Sequence, residues 1–168
     1  MDSLRRSNSL LTGVQLAVDN TMDTPPARAA ILNQEIAYAL LRVTLGTNLL
    51  LHGVTRIIAG HAVFLAYITK QMQSAPLPSW FLAPFSYALP WMEALVGLFL
   101  LVGFFTRNTL IAGCLVMLLL QIGTCLAQNW QVAGDQLLYV VIYFILLSFV
   151  DRNRWSLDHL FSGNGALT

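Results

Sequence analysis

The stretch TLIAGCLVMLLLQIGTCLAQ, Thr109–Gln128, runs for 20 residues without a formal charge. A helix of that length rises about 30 Å, which is the hydrocarbon thickness of a bilayer. Outward from it, three further segments meet the same criterion. Ile36–Ala59 is interrupted by Arg42, Asn48, His52 and Arg56; Phe85–Phe105 contains Pro90 and Glu93; Val132–Val150 is bracketed by Asp135 and Asp151. Lone prolines do not disqualify a span, because neighbouring helices satisfy the freed backbone groups. Composition agrees: the 168 residues are 57% hydrophobic and only 10% charged, with a mean hydropathy of +0.66. A soluble domain averages about 25% charged residues, so a disordered chain is excluded and the composition argues against an ordinary soluble globule. The net charge of +1 carries no sign bias toward nucleic acid. The predicted fold is all-α, an integral membrane four-helix bundle.

Orientation follows from lysine and arginine. Four spans put both termini on one side, with Arg5, Arg6, Arg28, Arg107, Arg152 and Arg154; the other side holds only Lys70. Both termini are therefore expected in the cytoplasm. Trp80, Tyr87, Trp91 and Trp130 then fall near the outer interface, and Tyr38, Phe104, Phe105 and Trp155 near the inner one, the levels that amphipathic rings favour.

Residues 1–35 read as a cytoplasmic tail and linker, with Pro25-Pro26 ahead of the first span. Leu10, Leu11, Val14 and Val18 have the spacing of a short interfacial helix, and Arg5-Arg6 is not followed by the apolar core of a leader. The outer loop, residues 60–84, carries Phe64, Tyr67, Ile68 and Met72 at helical spacing before Pro76, Pro78 and Pro84 break regular structure. It is expected to roof the outer face. Residues 151–168 read as a short cytoplasmic tail with a frayed Gly-Asn-Gly end.

Charge at membrane depth costs more than about 2.5 kcal/mol unless it is paired or wet, so its placement is informative. Thr44, Asn48, His52 and Arg56 step by four along one stripe of the first helix, while Gly46, Gly53 and Gly60 step by seven on the opposite face, where a neighbour can approach closely. Helical side chains lean toward the N-terminus. Arg42 is thereby expected to snorkel to cytoplasmic water, and Arg56 to seek a partner inside the bundle. Glu93 is the one acidic residue deep in the hydrocarbon, at the depth of His52. An Arg56–Glu93 pair beside His52 is expected. Gln121, Thr124 and Gln128, with Asp135, Gln136, Tyr139 and Tyr143, place polar groups at the same level. The same residues could instead be register-setting bridges between helices.

Redox hardware of the chain's own is not expected. Cys114 and Cys125 lie about 16 Å apart on one helix, too far for a disulfide. His52 is the only histidine within a span, so a bis-histidine haem site cannot be assembled, and no metal or nucleotide motif is found.

Two segments carry a family resemblance. Leu41-Arg42-Val43 through Leu51-His52-Gly53-Val54-Thr55-Arg56 resembles the opening helix of the DoxX family. Pro90-Trp91-Met92-Glu93, followed by Gly97-Leu98-Phe99-Leu100-Leu101-Val102-Gly103-Phe104-Phe105-Thr106-Arg107, resembles that family's next hairpin. The resemblance extends over about residues 36–158, and the family's frequent lysine at the end of the first motif is here Arg56. It implies a four-helix membrane bundle. Through DoxD-like relatives associated with thiosulfate:quinone oxidoreductase, it also implies quinone-linked redox work in a prokaryotic cytoplasmic membrane.

The expected function is thus a quinone-interacting membrane subunit of an oxidoreductase, with an outward-facing cavity on His52, Arg56 and Glu93. His52 and Arg56 would donate to a quinone carbonyl, Glu93 would exchange the proton, and Tyr139 would bond the second carbonyl. Trp91 and Gln128 complete the expected binding set, although a tryptophan at that level also suits the interfacial belt. Whether the chain is itself an enzyme stays open. The alternative is a non-catalytic subunit that anchors or stabilises a larger membrane complex. Expected partners are membrane lipid and a protein subunit or a second copy, with no nucleic acid. A transporter is less well supported, because the inner half is dry and no inverted repeat is visible.

Overall fold

Helix ends and corners set the architecture. A computed structural model describes residues 25–75 and 77–164, and the chain divides into two compact units, residues 1–37 and 38–168. Of the first, the described part is the start of α1 (Pro25–Ala59). Then follow α2 (His61–Gln71), α3 (Ser79–Val102), α4 (Thr106–Leu126), α5 (Trp130–Ser148), a 3-10 turn (Val150–Arg152) and α6 (Leu157–Asn164). No strand occurs among the described residues. The expected N-terminal interfacial helix, Arg5-Arg6 and Pro76 lie outside them.

Trp80–Val102, Thr106–Leu126 and Trp130–Ser148 are each long and apolar enough to cross a membrane. Arg28–Ala59 and His61–Gln71, bent by 111° at Gly60, make a fourth candidate when taken together. The first helix is less apolar because it carries the polar stripe of Thr44, Asn48, His52 and Arg56, the first three of which are exposed.

Two boundaries differ from expectation. Pro25-Pro26 belong to α1 rather than to a linker before it, as suits proline in a first turn where an N–H has no intrahelical partner. Pro84, expected to break structure, lies inside α3, which starts at Ser79 directly after Pro78.

The core joins Leu45 and Leu49 of α1 to Leu100 of α3, Leu110 and Met117 of α4, and Leu146 of α5. A second cluster packs Phe64 and Ile68 of α2 against Leu82 and Leu89 of α3. Helix α1 meets α3 through its glycine face. A Cβ on Gly53 would stand 2.5 Å from both the Pro90 carbonyl oxygen and the Ala94 nitrogen, so only glycine permits this approach.

The end of the bundle opposite α2 is latched. Gly103 takes φ 70°, and its N–H donates to Phe99 and Leu100 carbonyls, ending α3 in a left-handed cap. Arg42, expected to snorkel, is instead only 2% exposed. Its Nη1 donates to the carbonyls of Leu100 and Leu101, and its Nη2 to that of Trp155 at 2.7 Å. These carbonyls lie at a helix end and in a turn, where the guanidinium supplies donors in place of water. Tyr38, expected at the interface, is likewise buried.

Residues expected as a short tail complete the latch. The Asp158 carboxylate accepts from the N–H groups of Phe105 and Thr106, both at 2.7 Å, and so caps α4 from 52 residues away. Asn153 donates to Thr106 Oγ1 at 2.8 Å. The residues after Asn164 lie outside the described part.

Candidate functional site

At the other end, four helices contribute to one polar cavity. Position 56 lies three residues before the end of α1, one turn beyond His52 and two beyond Asn48, so these side chains share a face. Glu93 projects from the middle of α3 and is 6% exposed. Arg56 Nη1 donates to Glu93 Oε2, the ion pair expected from depth alone, and the guanidinium lies over the Phe64 ring, 4.9 Å from its centroid. A buried carboxylate held by a bidentate-capable cation is the arrangement in which charge at membrane depth survives.

Around this pair is a cavity of about 170 Å³, lined among others by Asn48, His52, Arg56, Glu93, Asp135 and Tyr139. His52 and Asp135 are exposed and stand at its mouth between α1 and α5. Tyr139 bridges those helices, its hydroxyl donating to Asn48 Oδ1 at 3.0 Å. A second cavity of about 110 Å³ adjoins the first through Arg56, Leu120, Val132 and Gln136, and reaches Phe64 and Gln71 of α2. Helix α2 thus covers this end, as expected of the loop. Thr124 links α4 to α5 by donating to Gln136 Oε1 at 2.8 Å.

The structure therefore brings together His52, Arg56, Glu93 and Tyr139, and leaves out two expected site residues. Trp91 is 49% exposed and lines none of these cavities. It precedes Glu93 by two residues, about 200° around the helix, so it points away when Glu93 points in. Gln128 is exposed in the α4–α5 turn at φ 56°, beyond the end of the helix. Tyr143 is buried deeper, with its hydroxyl beside Gly113, and Gln121 donates to Cys125 Sγ at 3.6 Å within its own helix. Asn48 and Gln136 were weighed only as part of a general polar level, yet they make the inter-helix bridges. Their spacing with His52 and Tyr139 was the available signal.

A family model for DoxX matches residues 37–127, more than half of the 168. The chain belongs to the DoxX family. Searches of the curated proteins and of the solved structures found no significant match. Three spanning helices and membership of DoxX make this a multi-pass membrane protein. The DoxX match includes His52, Arg56 and Glu93, and it stops before α5. Asp135, Gln136 and Tyr139 thus add a wall of the cavity from outside the matched segment.

The donors fit an acceptor-bearing ring. Arg56 retains guanidinium N–H groups beyond the one given to Glu93, and His52 adds an imidazole at the same cavity. The volume is more than ten times the roughly 10–15 Å³ that a single water needs.

Proposed function

We propose that this DoxX protein is the quinone-interacting membrane subunit of an oxidoreductase, with both termini in the cytoplasm of a prokaryotic cell and the cavity facing outward. One observation carries the reading: the pair of half-buried Arg56 with buried Glu93 lines a cavity that His52 and Tyr139 also line. Intramembrane charge around a cavity defaults to function rather than to packing. The excess of arginine on the terminal side supports the orientation.

A quinone bound there is a substrate that takes up two electrons and two protons to become the quinol. The electrons come from a partner subunit. This chain's residues hold and protonate. Arg56 and His52 donate to one carbonyl oxygen, and Tyr139, reoriented from Asn48, donates to the other. Glu93, held by Arg56, takes a proton arriving from the mouth at Asp135 and delivers it to the carbonyl oxygen beside Arg56 and His52; the second oxygen takes the Tyr139 hydroxyl proton, which a proton from the same mouth replaces.

Quinone binding in nanodiscs tests this. Saturable binding by the wild type is expected, weakened about tenfold or more in Glu93→Gln and His52→Ala, which corresponds to loss of one charged hydrogen bond. No binding by folded wild type would replace this reading with that of a non-catalytic subunit, to be sought through what co-purifies with it.

A further inference from the structure

The polar cavity does not end at Arg56. The second cavity adjoins a third of about 190 Å³, the two sharing Ile68, Met72 and Leu120 in their walls. Leu120 lines all three cavities. The character of the walls changes in order along this path. Beside Glu93 they carry charge; under α2 they are mixed, with Gln71 and Thr124 as well as Phe64 and Leu89. In the third they are Leu77, Phe81, Phe85, Leu119 and Ile122, with no polar side chain at all. The third cavity lies between α2 and the flanks of α3 and α4, two of the candidate spans.

We propose that this third cavity seats the hydrocarbon tail of the quinone whose ring occupies the polar cavity. The inference rests on the function proposed above and specifies its substrate as a tailed, membrane-borne quinone entering between α3 and α4. A slot walled by leucine, isoleucine and phenylalanine excludes water and accepts hydrocarbon. A path graded from ion pair to pure hydrocarbon matches a molecule with a polar ring at one end and a chain at the other. The bend at Gly60 makes this possible by laying α2 across the bundle, with Phe64 and Ile68 buried beneath it.

Met72 and Gly123 set the width of the passage. The Met72 methyl carbon lies 3.6 Å from where a Cβ on Gly123 would stand. The flexible thioether can shift to admit a chain, and the absent side chain leaves room for it. The tail reaches the slot from lipid and not from water, so what holds it there is close packing against these side chains, not transfer out of water.

The test uses the full chain in nanodiscs with two probes: decylubiquinone and the same ring without its tail. Two variants fill the slot, Gly123→Phe and Leu119→Trp. Each probe is compared between variant and wild type in identical nanodiscs, so partitioning of the tail into lipid cancels. Decylubiquinone is expected to bind about tenfold or more weakly in the variants, while the tail-less ring binds as in the wild type. Unchanged decylubiquinone binding in both variants would assign the slot to ordinary lipid chains and overturn the proposal. Equal loss of both probes in both variants would overturn it too. Wild type that binds neither probe would remove the quinone reading itself. Wild type that binds both, with the variants indifferent to the tail, would keep that reading and remove only the tail seat.

Discussion

Glu93 and Arg56 are partners with unequal access to solvent: Glu93 is 6% exposed and Arg56 26%. Removing one therefore does not equal removing the other. Arg56→Met leaves a carboxylate alone in the bundle, and a cost of about 3 kcal/mol is expected. Glu93→Gln leaves a guanidinium that still has the Phe64 ring and the cavity, and about 1 kcal/mol is expected. The double variant Arg56→Met/Glu93→Leu removes both charges and is expected to recover most of the stability while losing quinone binding. Unfolding in mixed micelles measures all three, and equal losses in the two single variants would contradict the asymmetry. This pair was legible in the sequence because one acid and one suitably leaning base occur at that depth. Arg42 was not, for a physical reason: its partners are backbone carbonyls of Leu100, Leu101 and Trp155, and carbonyls have no letter in a sequence. The outward direction of Trp91 follows from helix geometry alone, through its angular offset from Glu93.

Between elements, the decisive contacts are at helix ends and at the α1–α3 crossing. Asp158 caps α4 through two N–H groups, so Asp158→Ala is expected to destabilise by about 1–2 kcal/mol, visible as a lowered thermal midpoint. An unchanged midpoint would mean that water replaces the carboxylate without loss. The crossing is more sensitive. Any side chain at position 53 meets the backbone of Pro90 and Ala94, and backbone cannot swing aside. Gly53→Val is expected to cost about 1–3 kcal/mol by overpacking. It also separates the helices that carry Arg56 and Glu93, so quinone affinity falls with stability. Retained affinity in this variant would show that the ion pair does not position the ring. The glycine spacing announced a close neighbour but not which one. The α3 start was hidden because Pro84 reads as a breaker, whereas in a packed apolar helix its lost hydrogen bond is tolerated.

For the molecule as a whole, the outer surface decides the solvent. Leu115, Leu118, Leu138 and Phe144 are all more than half exposed, on helices whose inner faces make the core. A patch of that extent is untenable in water and ordinary in lipid. This is why composition alone made the spans legible, and why α1, which carries a polar stripe through Asn48, His52 and Arg56, qualifies only together with α2. Orientation rests on charge, and chemistry can read it directly. Lys70, in the last turn of α2, and Arg107, at the start of α4, are separated by α3 and are both exposed. With Cys114 and Cys125 replaced by alanine, Lys70→Cys is expected to react with a membrane-impermeant maleimide in intact cells. Arg107→Cys and Arg154→Cys are expected to react only after the membrane is opened. The reverse pattern would invert the protein and put the cavity, with its supply of protons, on the cytoplasmic face. Labelling of positions 70 and 107 from the same side would mean that α3 does not cross, and the Arg56–Glu93 pair would then lose the low-dielectric setting on which its proposed role depends.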